Sequence, residues 1–117
     1  MPTDPGSVST NIKKGEWRIT YFWDSDHEET DHFNGYSFAF NDDGSLIATS
    51  SSTTVTGSWS TGSDDGKTEL IITFLSPTDF AELNDDWDVI KQTDVKIELE
   101  DISGGNGGTD YLTFEKL

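Results

Sequence analysis

From residue 16 onward the chain alternates hydrophobic and polar side chains in short runs broken by turn-forming residues, with no sustained helical period. Gly15-Glu16-Trp17 opens the first run. Trp17, Ile19 and Tyr21 fall on one face and Glu16, Arg18 and Thr20 on the other, because successive strand side chains point to opposite sides. A second strand spans Phe33 to Phe40, with Tyr36, Phe38 and Phe40 on its apolar face. Asn41-Asp42-Asp43-Gly44 supplies the positive φ of a tight turn, so Ser45 to Ser50 returns antiparallel. Ser50 to Thr54 is all Ser and Thr and sets no register. Val55, Gly57 and Trp59 mark a fourth strand, and a second Asp-Gly turn follows at Asp65-Gly66. Lys67 to Leu75 is the most apolar run, with Leu70, Ile72 and Phe74 opposite Ile71, Thr73 and Leu75; it predicts a central strand covered on both faces.

Ser76-Pro77-Thr78-Asp79 has the form of a helix start, with Ser76 as N-cap and Pro77 in the first helical position. Phe80 and Leu83 then share a face and can lid one end of a barrel. Two more strands follow, Trp87 to Lys91 and Asp94 to Glu100, the latter with Val95, Ile97 and Leu99 inward. After a Gly104–Gly108 turn, Tyr111 to Lys116 is the last strand, with Leu112 and Phe114 inward. The fold class is therefore all-β: an eight-stranded antiparallel up-and-down barrel with one short helix. A barrel is preferred to a sandwich because almost every connection is local, and closure removes exposed edges.

The chain has 117 residues, enough for one domain with a modest core. Hydrophobic residues are 32% but aromatics reach 12%, so the core leans on a few large rings. With no cysteine, disulfides and thiolate metal sites are excluded. No apolar run is long enough for a transmembrane helix. Residues 1–12, rich in Pro, Gly and Ser, read as a flexible N-terminal linker ahead of a domain over 13–117. Such a leader suits a mature exported protein of the periplasm or cell surface, a lipoprotein included; an ordinary frayed terminus fits equally well. Seven basic against 23 acidic residues give a net charge of −16, which repels nucleic acid and anionic lipid and leaves a solubilising surface or an acidic face for a basic protein partner.

The Gly15-x-Trp17 step, Gly57-Ser58-Trp59, Phe80-x-x-Leu83 before Trp87, and the closing Asp110-Tyr111-Leu112-Thr113-Phe114 together resemble the lipocalin superfamily, and more narrowly the small lipocalin-like domains of exported Bacteroidetes-type proteins. The resemblance implies an up-and-down barrel that binds a small apolar ligand without a covalent step. Lipocalins share a basic residue stacked on the first-strand Trp; the candidate here is Lys116, which lacks the planar guanidinium that favours such stacking.

The run Asp24 to His32 carries five acids and two histidines, the donor types of a cation site. Its spacing is not that of an EF-hand: the sixth position from Asp24 is Glu29 where Gly is needed, and the twelfth is Gly35 where Glu is needed. It reads as a solvated loop, and no metal ligand or cofactor is assigned. No nucleophile motif accompanies the histidines, so no catalytic residue is assigned and the chain is read as a non-enzymatic binding protein; an enzymatic reading, ranked last, requires carboxylates that converge in a pocket with a shifted pKa. Its ligand would be a small hydrophobic or aromatic molecule, in or at the mouth of the barrel, met by Tyr21, Trp23, Tyr36, Phe38, Phe40, Trp59, Ile72 and Phe74. The alternative is an acidic protein-interaction module of the cell envelope.

Overall fold

The structure is a computed structural model that describes residues 2–24, 27–64, 66–102 and 108–117. A helix, α1 (Pro5–Ile12), precedes β1 (Trp17–Asp24). There follow β2 (His27–Glu28), a 3₁₀ turn (Thr30–Phe33), β3 (Ser37–Phe40), β4 (Ser45–Thr49), β5 (Thr54–Asp64) and β6 (Lys67–Thr73). A short helix, α2 (Thr78–Ala81), separates these from β7 (Asp85–Gln92), β8 (Lys96–Ile102) and β9 (Thr109–Lys116). The eight strands other than β2 pair antiparallel in chain order. β9 returns to β1 from Trp17↔Lys116 to Trp23↔Tyr111, closing the barrel. β2 is a two-residue flap on the end of β1.

The inward faces follow the alternation of the sequence. Phe38 and Phe40 of β3, Leu46 and Ala48 of β4, Leu70 and Ile72 of β6, Ile97 and Leu99 of β8, and Leu112 and Phe114 of β9 are all buried in one core cluster. Gly44, with φ near 89°, makes the β3–β4 turn that the Asp-Gly step predicts. Trp17 is fully buried, donates from Nε1 to the Ile12 carbonyl at 2.9 Å, and lies beneath the Lys116 ammonium, 5.0 Å from its ring centroid. A point charge over the electron-rich face suffices for this contact without a guanidinium.

The segment read as linker is helical and docked instead. Asp4 caps α1, accepting from the Ser7 amide at 3.1 Å and the Ser7 hydroxyl at 2.7 Å, with Pro5 in the first turn. Val8 and Ile12 are completely buried, and Asn11 Nδ2 donates to Gln92 Oε1 and the Thr93 carbonyl. Apolar burial plus these bonds plugs the barrel end where β1 begins.

Four local expectations shift. The β1–β9 register slips between Ile19 and Tyr21, a bulge that turns Phe22 inward and Tyr21 outward. Val95 lies in the turn before β8 and is exposed, because pairing begins at Lys96. β6 is covered on one face only, and Leu75, beyond its end, is 93% exposed, since a barrel has no second layer outside. The N-cap of α2 is Pro77 itself, following a cis Ser76–Pro77 bond, while Phe80 and Leu83 are buried as expected. The predicted Gly104–Gly108 turn lies, for 103–107, outside the described residues. Among the described residues no helix is long and apolar enough to cross a membrane.

Candidate functional site

Of the eight residues expected to meet a ligand, Phe38, Phe40, Trp59, Ile72 and Phe74 are core. Their rings meet edge-to-face: Phe40 lies 5.7 Å from Trp59 and 5.4 Å from Phe114, Phe38 lies 5.5 Å from Phe114, and Phe74 lies 5.2 Å from Phe80. Gly57 exists to admit the Phe74 ring, because a Cβ there would fall 2.6 Å from Phe74 Cδ1 and 2.5 Å from the Thr73 carbonyl oxygen. The other three positions are peripheral. Tyr36 is half-buried with its ring 5.0 Å from Phe80, Trp23 is half-buried at the end of β1, and Tyr21 faces outward. β1 and β3 pair at Trp17↔Phe38 alone. Where they splay apart, an open cleft of about 240 Å³ is lined by Arg18, Ile19, Phe33 and Tyr36.

At the end opposite α1, the acidic run is ordered over its described residues; Asp26 lies outside them. The Glu29 amide donates to the Phe22 carbonyl at 2.9 Å, and the Thr30 hydroxyl accepts from the Phe22 amide and donates to Glu28 Oε2. Phe33 is buried, 5.8 Å from Phe22 and 5.2 Å from Phe80. These bonds and rings fold the flap and 3₁₀ turn over the barrel mouth, beside α2. Phe80 and Leu83 anchor α2 there, and Trp87 Nε1 donates to the Leu83 carbonyl at 2.8 Å. Glu82, the C-cap of α2, is thereby brought against Glu29, a juxtaposition that no local pattern in the sequence announces.

Glu29 is the centre of the resulting group. It is only 8% exposed, its Oε1 lies 3.4 Å from His27 Nε2 and 3.7 Å from His32 Nδ1, and its buried Oε2 accepts from no N–H or hydroxyl group. Asp24, His27 and Glu29 place ligand-type atoms within 4.8 Å of one another, as do Glu29, His32 and Glu82. Crowding of acids divides their protons. The Glu82 carboxyl is pushed up to about 7 by its hydrogen bond to Glu29 and by burial, and burial followed by the same kind of bond raises Asp24. Burial alone would raise Glu29 too, but its hydrogen bonds with Glu82 and Asp24 and the charge of His27 hold it below the usual range. Farther round the same rim, Asp85 is pushed up to about 7 by burial and by a hydrogen bond with Asp101, near Asp110.

The cluster thus gathers two raised carboxyls and two imidazoles around one buried carboxyl that is held low, Glu29. No family model and no curated protein matches this chain. Its fold is similar to the crystal structure of a DUF4847 family protein from Bacteroides vulgatus, at 15% identity and a TM-score of 0.62 over 94% of this chain and 97% of that one. It is also similar to that of an uncharacterized protein from Bacteroides eggerthii, at 16% identity and a TM-score of 0.52 over 86% of this chain and 97% of that one. These likenesses establish a shared closed barrel.

Proposed function

We propose that this chain is a non-enzymatic, lipocalin-like binding protein that meets its ligand at the capped mouth of the barrel, and that the ligand presents a positive charge to the Glu29 cluster. The observation that carries the reading is the contrast between the two regions. The inward positions are occupied by rings in mutual contact, whereas Glu29 holds a buried carboxylate oxygen, Oε2, that accepts from no N–H or hydroxyl group. An apolar ligand inside the barrel would require Phe38, Phe40 and Phe74 to separate, and the cleft beside Tyr36 is the place where an apolar group of the ligand would rest instead. Kinship with lipocalins is supported by the meander and by the Trp17–Lys116 stack.

A backbone amide spectrum titrated with calcium and, separately, with spermidine tests the mouth directly. Shifts confined to 22–33 and 78–83 are expected; shifts at β3–β6 core amides with none at the mouth would overturn the proposal. A second reading, an acidic module for a basic protein partner, is favoured by Asp85, Asp101 and Asp110 on the same rim. That association would weaken steeply with salt.

A further inference from the structure

We propose that the cleft where β1 and β3 splay apart takes a small apolar acid, with its carboxylate on the Arg18 guanidinium and its ring or short chain on Ile19, Phe33 and Tyr36. The inference goes beyond the Glu29 reading: it concerns an anion, and it stands on the cleft alone.

Three observations converge. Pairing of β1 with β3 stops at Trp17↔Phe38, so the barrel wall opens directly after it, and Arg18 lines the opening. Arg18 is the only arginine of the chain. It is exposed, and β9 places Glu115 directly across from it, yet among the described residues no carboxylate or other acceptor engages its side chain. A guanidinium free of partners presents a planar fork of donors that matches a carboxylate. The surroundings suit that charge. The chain has 23 acidic residues, but no aspartate or glutamate lines the cleft, so its walls carry no side chain that repels an anion. The Asn34 carboxamide, also on the rim and without a hydrogen-bond partner among the described residues, adds a neutral donor. Finally, the floor is apolar. Ile19 and Phe33 are buried and Tyr36 is half-buried, so hydrocarbon surface adjoins the cation. A volume of about 240 Å³ falls short of the roughly 300–1,000 Å³ of drug-sized pockets, which limits the occupant to a single ring or a short chain bearing the acid.

The test is a backbone amide spectrum of the full chain titrated with 3-phenylpropanoate and, separately, with neutral 3-phenylpropanamide and with acetate. It is run near neutral pH and at about 150 mM salt, where long-range repulsion from the acidic surface is screened. Saturable shifts at 18–20 and 34–37 are expected with the phenyl acid at or below about 10 mM. The amide lacks the charge and acetate lacks the ring, so each is expected to bind at least about fivefold more weakly. Arg18→Gln is expected to cost the acid about fivefold or more. Arg18 is exposed, so this variant keeps the fold. Lys91→Gln removes the same charge from an exposed site on β7 and is expected to change affinity less than about twofold. Amide or acetate bound as tightly as the phenyl acid, an Arg18→Gln loss no greater than that of Lys91→Gln, or no shifts at 18–20 and 34–37 overturns the proposal. Amides 27–30 and 78–83 report separately on the Glu29 cluster: if calcium or spermidine still shifts them, only the acid site falls.

Discussion

Truncating Phe80 to Ala tests whether the mouth is a packed lid. Phe80 is 3% exposed and its ring lies 5.2 Å from Phe33, 5.0 Å from Tyr36, 6.1 Å from Phe38 and 5.2 Å from Phe74. It therefore ties the 3₁₀ turn and α2 to the barrel core at one point. Phe→Ala at a buried site costs about 3–5 kcal/mol, the ring-on-ring contribution included. In a chain of 117 residues, each kcal/mol moves the melting temperature by about 3–6 °C, so a fall of roughly 9–30 °C is expected. Urea unfolding, followed by far-ultraviolet circular dichroism and tryptophan fluorescence, measures the free energy. Leu75→Ala serves as control, because Leu75 is 93% exposed and should change stability by no more than about 0.5 kcal/mol. A Phe80→Ala loss below about 1 kcal/mol, or one equal to the control, would refute the packed lid and with it the fixed placement of Glu82 against Glu29.

Ile12→Ala is expected to cost about 2–4 kcal/mol in the same assay, because Ile12 is wholly buried under the barrel; a change near zero would return 1–12 to the status of a linker. Gly57→Ala is expected to cost about 1–3 kcal/mol, since the Thr73 carbonyl oxygen that its Cβ would strike is backbone; an unchanged urea midpoint would contradict that packing. Asp85 titrates near 7 in the fold against the ordinary carboxylate range unfolded. Between those values the folded chain holds a proton the unfolded chain has lost, so this contribution is complete below about pH 4 and disappears as pH rises through about 7. Thermal melts of Asp85→Asn should therefore show a smaller fall in stability from pH 5 to pH 8 than wild type, and an identical pH dependence would contradict the assignment.

The barrel was legible because strand alternation reports directly on which face is buried: Phe38 and Phe40, Leu70 and Ile72, and Leu112 and Phe114 all point as their spacing predicts. A bulge breaks that rule without a local signal, which is why Tyr21 and Phe22 exchange faces. α1 carried its signal in plain view, an Asp4 cap with Pro5 behind it and Val8 and Ile12 four apart, but a Pro/Gly/Ser composition concealed it. The mouth was half legible. Asp24, His27, Glu29 and His32 adjoin in sequence, whereas Glu82 reaches them only because Phe33 and Phe80 pack together, a tertiary contact that periodicity does not encode. Whether inward rings enclose space or fill it was likewise beyond the pattern, being decided by side-chain volume against barrel girth.

A barrel filled by its own rings leaves the mouth, and not the interior, as the proposed binding face. A methyl spectrum of the native chain titrated with a neutral apolar probe, N-phenyl-1-naphthylamine, examines that most directly. The Leu70, Ile72 and Leu112 methyls, all buried, are expected to stay where they are as the probe is added. Saturable, one-to-one shifts of those three residues would show a cavity that opens inside the barrel and would contradict it.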